Sequence, residues 1–376
     1  MFAAIAAVAV AAGAQTGHAQ NTSFAQALVP ETLEFPRDQG PHPDYRQEWW
    51  YLTGNLDSVS GARFGFELTI FRFALSPDAL KPATPTTAVG SQPGTEGSAW
   101  RARQIYLAHF AVTDVAGSRF QFAVKRARGA LGLAGAQADP FRVWVGNWQI
   151  GADPADWQVQ AAGRGYVLSL TARPLMPPVL NGDHGLSRKS GEPGNATYYY
   201  SIPRVAVQGT IVRGGRPLQV HGLAWLDREW GSGSLGPQEV GWDWFGLQLG
   251  DGSCLMFYSL RDRSGTQDPH SAGTWVDTDG RARPLSRTDI RIEVLKYWTD
   301  ARGVRYPSRW RLVSPVLALD VNIRPVLSDQ ELVTFPRYWE GAVDVSGTRA
   351  GRPLAGRGYV ELVGYAERTA GLGGIR

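Results

Sequence analysis

Residues 207–222 read VQGTIVRGGRPLQVHG, and residues 345–358 read VSGTRAGRPLAGRG. Each stretch has a first candidate strand, a glycine-containing turn and a second candidate strand that begins with Arg-Pro-Leu. Two runs separated by such a turn are typical of a β-hairpin. Because the pattern occurs twice in one chain, it indicates that one structural unit is present in two copies.

Segments outside this hairpin repeat as well. Three further pairs of segments resemble each other in the same order along the chain: 49–57 and 242–249, 108–117 and 273–280, and 157–174 and 310–325. The offset between the copies shrinks along the chain, which predicts shorter loops in the second copy. An internal duplication accounts for all four matches.

The composition favours short strands over helices. The chain has 376 residues, of which 43% are hydrophobic and 19% charged, as expected for a packed globular protein. Its 45 glycines and 24 prolines, and the scarcity of long helical patterns, favour a turn-rich all-β fold. Each copy has roughly eight short candidate strands, which is enough for a closed barrel or a sandwich. The small net charge of +4 and the lack of a dense basic run argue against a nucleic-acid partner.

The N-terminal segment has the features of a secretory leader. Residues 2–14 are apolar, and Gly17-His18-Ala19 provides a small-x-small cleavage sequence. We therefore predict a signal peptide over 1–19, cut near Ala19, and a periplasmic or secreted protein. The predicted domains are 20–235 and 236–376. Cys254 is the single cysteine, so no disulfide can form within the chain.

The segment from His221 to Phe245, HGLAWLDREWGSGSLGPQEVGWDWF, carries the strongest chemical signal. Read as a strand, it places His221, Trp225, Asp227 and Glu229 on one face. Unpaired acids are costly in a core, so a face with an indole and two carboxylates predicts the wall of a cavity. The alternative is a core tryptophan with its acids in ion pairs.

Acid–base chemistry in an aromatic cavity follows from the first interpretation. An apolar surrounding raises the pKa of an acid, so we assign Asp227 the role of proton donor. Glu229, His221 and His109 are candidates for orienting water, and Glu48, on the same strand face as Trp50, is a second candidate acid. The predicted lining of the cavity is Trp50, Trp225, Trp242, Trp244, Tyr258, Tyr359 and Glu361.

Other chemistries have little support in the sequence. The G-x-S-x-G, H-E-x-x-H and phosphate-loop motifs do not occur, so we expect neither a serine hydrolase, nor a metal site, nor a cofactor.

Two long loops interrupt the strand pattern. Loop 76–98 is expected to be an exposed insertion, and the polar loop 175–197 is a candidate cover for the mouth of the cavity.

Several long motifs resemble those of the AttH/CrtC-like family. They are EWWYLTGNL, NGDHGLSRKSG, LAWLDREWGS, GWDWFGLQL and GRGYVELVGY, and they span nearly the whole mature chain. The family comprises secreted AttH-type proteins related to carotenoid 1,2-hydratase (hydroxyneurosporene synthase). The resemblance implies two tandem lipocalin-like, calycin-type β-barrels, which agrees with the internal duplication.

The resemblance leaves three functions open. The first is a cofactor-independent hydratase or cyclase, a lyase that acts by acid–base chemistry on an apolar isoprenoid or lipid. The second is a non-catalytic periplasmic carrier of such a ligand, with an ABC-transporter permease as a candidate partner and only transient membrane contact. The third is carbohydrate binding by the tryptophan and carboxylate cluster.

Overall fold

The computed structural model describes residues 23–77, 102–153, 156–233, 235–236 and 238–366. The predicted leader, residues 1–19, and most of loop 76–98 lie outside these ranges. Within them, no helix has the length and apolar character required to cross a bilayer.

Strands make up most of the described structure, together with two short 3₁₀ helices, Arg37–Gln39 and Pro315–Leu317. In the described ranges the first sheet contains thirteen strands: β1 (Gln47–Ser58), β2 (Arg63–Ala74), β3 (Gln104–Asp114), β4 (Arg119–Arg128), β5 (Ala134–Ala138), β6 (Phe141–Val145), β7 (Trp148–Asp153), β8 (Asp156–Gly163), β9 (Tyr166–Pro174), β10 (Val179–Leu180), β11 (Leu186–Arg188), β12 (Ala196–Arg213) and β13 (Arg216–Gly231).

The second sheet contains ten strands within the same described ranges: β14 (Glu239–Leu249), β15 (Cys254–Asp262), β16 (Ala272–Val276), β17 (Ala282–Ser286), β18 (Arg291–Thr299), β19 (Arg305–Ser314), β20 (Leu319–Pro325), β21 (Glu331–Leu332), β22 (Tyr338–Arg349) and β23 (Arg352–Val363). Both sheets curl, the first into a nearly closed barrel and the second into a half-barrel. The all-β prediction is confirmed.

The two sheets share one strand order. The first runs β4-β3-β2-β1-β13-β12-β9-β8-β7-β6-β5, and the second β17-β16-β15-β14-β23-β22-β20-β19-β18. The register agrees too, since Trp157 lies opposite Ala172 and its counterpart Trp310 lies opposite Ile323. Among the described strands, β5 and β6 have no counterpart in the second sheet. The shrinking offset therefore reflects missing strands as well as shorter loops.

The strands where the sheets meet are buried on both faces. In β1, Trp50 and Leu52 belong to the apolar core inside the first barrel, whereas Tyr51 belongs to a cluster between the two sheets. The second sheet has its own core on its inner face, around Phe245 and Trp310. Side chains therefore fill the first barrel, and the outer faces of the two sheets pack on each other.

Polar contacts hold this junction together. The Tyr51 hydroxyl donates to Glu340 Oε1 at 2.7 Å, and Arg357 Nη1 lies 2.6 Å from Asp57 Oδ2. Gly65 allows the close approach, because a Cβ atom added there would lie 2.6 Å from the Tyr359 hydroxyl. The two sheets thus form one continuous interface, and a pocket lies between them.

Candidate functional site

A pocket lies between the outer faces of the two sheets. Its first wall, from β1, β2, β12 and β13, includes Trp49, Tyr51, Thr69, Phe71, Tyr199 and Asp227. Its second wall, from β14, β15, β22 and β23, includes Trp242, Trp244, Tyr258, Leu260, Tyr338 and Glu361. Aromatic rings and carboxyl groups are thus the main surfaces of the pocket, and both copies of the repeat contribute to it.

Asp227 is held by three donors at the pocket wall. It accepts hydrogen bonds from the Tyr199 hydroxyl and the Ser201 hydroxyl, both at 2.5 Å, and from Trp225 Nε1 at 2.6 Å. Burial raises the pKa of Asp227 to about 7, and the neighbouring Glu229 adds to this rise, although the three donors lower it. Asp227 can therefore both hold and release a proton near neutral pH.

Tyr199 connects Asp227 to the pocket. Its hydroxyl donates to Asp227 Oδ2 and accepts a hydrogen bond from Trp244 Nε1 at 3.1 Å, across the junction of the sheets. Burial raises the pKa of Tyr199 well above its usual value, so the hydroxyl keeps its proton. When Asp227 is protonated it can donate to this hydroxyl, which then turns its own hydrogen toward the pocket.

Glu361 is a second acid on the opposite wall. Its Oε2 accepts a hydrogen bond from Trp242 Nε1 at 2.6 Å. Burial raises the pKa of Glu361 to about 7, although the indole donor lowers it. Each sheet therefore contributes to the pocket a carboxyl group that has a raised pKa and accepts a hydrogen bond from a tryptophan.

A third acid lies behind Tyr338. The Tyr338 hydroxyl donates to Glu67 Oε1 at 2.8 Å and lies 2.7 Å from His109 Nδ1, which must then carry the hydrogen. Burial raises the pKa of Glu67 to about 7 and, helped by Arg126, lowers that of His109 to about 3. The histidine is therefore neutral at physiological pH. Of the three hydrogen-bonded residues Glu67, His109 and Tyr338, only Tyr338 lines the pocket.

Glu229 is engaged in a buried ion pair. Its Oε1 lies 2.8 Å from Lys189 Nζ and also accepts from the Thr197 hydroxyl. The lysine comes from the segment between β11 and β12, and the Ser187 hydroxyl of β11 lies 3.0 Å from that of Tyr258. The loop predicted over 175–197 thus contains two short strands, and its Lys189 forms part of the pocket lining.

The structure brings most of the predicted residues together. Asp227, Glu229, Trp242, Trp244, Tyr258 and Glu361 line the pocket, and Trp225 supports Asp227 from behind. The predicted strand face is correct for Trp225, Asp227 and Glu229. Their catalytic and binding roles remain predictions.

Glu48 and Trp50 lie elsewhere. They share a strand face, as predicted, but that face points into the first barrel. Glu48 is fully buried between Arg72 and Arg228, and the Arg228 guanidinium lies 3.9 Å from the Trp50 ring centre. Burial alone would raise the pKa of Glu48, yet the two arginines hold it below its usual range. A permanently ionised, paired carboxylate is not a proton donor.

Three other predicted residues are outside the lining. His221 is exposed. Tyr359 is buried in the junction beside Gly65. His109 is one residue removed from the pocket, behind Tyr338.

Tyr199, Tyr338, Glu67 and Lys189 were not among the predicted site residues. Tyr199 stands in the run Tyr198-Tyr199-Tyr200, whose alternation could have identified it, since Tyr198 and Tyr200 face the barrel core. Glu67 and Tyr338 meet only through the packing of the two sheets. In the described part of the chain, no group of three or more His, Cys, Asp or Glu residues could hold a metal ion.

A sequence model described as AttH-like matches residues 26–365. The chain belongs to the AttH-like family. The crystal structure of a putative AttH from Nitrosomonas europaea has a TM-score of 0.78 and 33% identity, covering 91% of this chain and all of that one. The lipocalin-like architecture predicted from the motifs is therefore confirmed.

Two further relatives extend the comparison. Kievitone hydratase from Nectria haematococca shares the AttH-like fold at a TM-score of 0.65 and 16% identity, over 91% of this chain and 96% of its own. The dehydratase asqC of Emericella nidulans is 23% identical over 217 residues, which cover 55% of this chain and 60% of that protein. The match thus spans about 60% of the length of this curated relative.

Proposed function

We propose that this protein is a hydratase- or dehydratase-type lyase that adds water to, or removes it from, an apolar substrate in the pocket between the sheets. One observation carries the proposal: Asp227 is buried at an aromatic wall, is hydrogen-bonded to Tyr199 and has a pKa of about 7. The similarity to a dehydratase supports the same class of reaction.

The proposed chemistry uses the two titratable carboxyl groups on opposite walls. In hydration, Asp227 delivers a proton through the Tyr199 hydroxyl to one alkene carbon, and the other carbon becomes cationic. The faces of Trp49 and Trp244 can stabilise this cation. Water attacks it, and the Glu361 carboxylate takes the proton that the water loses. After the product leaves, Glu361 releases its proton to solvent and Asp227 takes one up, which restores the starting state of the enzyme. Dehydration follows the same path in reverse, so atoms and charge balance in both directions.

We expect Asp227→Asn to lower turnover by at least about 100-fold, because general acid catalysis contributes on this order. The assay incubates the enzyme with a panel of olefinic isoprenoids, unsaturated lipids and their alcohols in water labelled with oxygen-18. Mass spectrometry then detects gain or loss of one water. In the wild type, the rate of hydration should be highest near pH 7 and fall on both sides, since Asp227 loses its proton at higher pH and the Glu361 carboxylate is protonated at lower pH.

A matched control is Asp114→Asn. Asp114 is also a buried aspartate with a tyrosine donor, Tyr166 at 3.1 Å, but it does not line the pocket. The Asp114→Asn variant should turn over at the wild-type rate. Full activity in Asp227→Asn would overturn the proposed proton donor.

The carrier function is the second candidate, favoured by the aromatic character of the walls. It predicts that an apolar ligand co-purifies unaltered and that Asp227→Asn binds it as tightly as the wild type does. We propose in either case that the protein is exported, which rests on the sequence of residues 2–19.

A further inference from the structure

The half-barrel has an open trough on its inner face. In the first sheet, β6 and β5 continue beyond β7, but β18, the counterpart of β7, is the last strand of the second sheet within the described residues. The strands β17 and β18 are joined by residues 287–290, yet they are not paired. The trough lies where the additional strands of the first barrel would be, and it is lined by β15, β18, β19 and the connecting residues.

Apolar walls and positive charge characterise the trough. Ile290, Ile292, Val294 and Pro307 provide apolar surface. Among the described residues, the charged part of the lining consists of Asp243 and the arginines Arg261, Arg287, Arg291 and Arg305. The formal charge of this lining is therefore strongly positive. A ligand that matches both properties has an apolar body and a negative charge.

The floor of the trough has an unused hydrogen-bond donor. Arg261 is 7% exposed, its Nε lies 2.9 Å from Asp243 Oδ1, and its Nη2 donates to the Val363 carbonyl. Its Nη1 has no partner among the residues the structure describes. A buried guanidinium donor without an acceptor is costly, so an oxygen atom of a bound ligand would stabilise it.

The free edge of β18 is poorly suited to a peptide strand. Its pairing with β19 shifts register on both sides of Lys296, between Val294 and Tyr297. Bulges and lysines are devices by which edge strands avoid further pairing. The occupant of the trough is therefore better described as a small molecule than as an added strand.

We propose that this trough binds a single-chain amphiphile with an anionic head group, a carboxylate or a phosphate. The aliphatic chain lies along Ile292 and Val294, and the arginines attract the head group. The trough is separate from the pocket of the proposed lyase, since neighbouring residues of β15 face opposite ways: Tyr258 and Leu260 line the pocket, and Ser259 and Arg261 line the trough.

The test is isothermal titration of the full chain with three probes of equal chain length: dodecanoate, dodecyl phosphate and dodecyltrimethylammonium. We expect saturable binding of one or both anions and at least about tenfold weaker binding of the cation. The two anions distinguish a carboxylate site from a phosphate site. Equal binding of the cation, or no binding of either anion, would overturn the proposal.

Four variants locate the binding. Ile292→Trp fills the trough and should abolish anion binding, whereas Leu295→Trp, at an exposed position of the same strand outside the lining, should not. The double variant Arg287→Gln, Arg291→Gln or the single variant Arg305→Gln should weaken binding by about tenfold or less, as expected for partly exposed charges. Wild-type affinity in Ile292→Trp and in both arginine variants would place the ligand elsewhere, and thermal unfolding verifies that each variant is folded.

Discussion

Asp227, Glu361 and Glu67 are acids whose pKa values burial raises to about 7. In the unfolded chain such groups titrate near pH 4, so the folded state binds more protons between about pH 4 and pH 7. Their contribution to stability is complete below pH 4 and is lost as the pH rises through about 7. Ionisation of these three buried acids therefore destabilises the fold at alkaline pH.

Replacing Glu361 tests this linkage. Relative to the wild type, Glu361→Gln should gain stability as the pH rises from 5 to 8, by up to about 3 kcal/mol, because the amide cannot ionise. Urea unfolding at each pH measures the difference in the free energy of unfolding. A difference that stays constant with pH would show that Glu361 titrates at its ordinary value.

Single residues show how far the sequence could specify the site. The alternation in β13 correctly places Trp225, Asp227 and Glu229 on one face. The alternation in β1 could not show that Glu48 and Trp50 face the barrel core. Strands at the junction are buried on both sides and lose the contrast between polar and apolar faces.

At the level of elements, the segment 175–195 is fastened to the pocket by a buried charge. Lys189 is 6% exposed and Glu229, its partner on β13, is 6% exposed. Removing one partner of such a pair leaves an uncompensated charge in the protein interior. The ion pair therefore holds this segment against the pocket.

Lys189→Met should lower the free energy of unfolding by about 3 to 5 kcal/mol. Adding Glu229→Gln to that variant should restore much of the loss, because the remaining charge is then removed. Urea unfolding of the two single variants and the double variant measures this coupling. Simple additivity of the two losses would contradict the interpretation.

The order of the strands was more predictable than their number. The four pairs of matching segments fall on corresponding strands of the two sheets, so the duplication could be derived from the sequence alone. The strands β5 and β6 could not be recognised as additional, because a hairpin of five-residue strands and a long loop give similar short patterns. Their absence from the second sheet is what leaves the trough open.

In the molecule as a whole, the packing of the two sheets creates the pocket, and the missing side chain of Gly65 allows them to approach closely. An added Cβ would lie 2.6 Å from the Tyr359 hydroxyl and 2.7 Å from the Ala342 Cβ. The family resemblance implied two barrels, but no pattern in the sequence showed that their outer faces meet. The location of the pocket therefore depends on contacts between distant residues.

Gly65→Ala should lower the free energy of unfolding by about 1 to 3 kcal/mol, because it overpacks the junction. Tyr359→Phe removes the nearer of the two contacts and should recover part of this loss in the double variant. Chemical denaturation of the two single variants and the double variant gives the coupling. If Tyr359→Phe recovers none of the loss, the junction is not as close as the structure shows.

Because the outer surfaces of two similar halves form the pocket, neither half carries it alone. Residues inside each barrel can drift independently during evolution, but those facing each other across the junction must change in concert. A chimaera that joins one half of this chain to the other half of a distant relative would then keep a packed barrel and a packed half-barrel and lose the cleft between them.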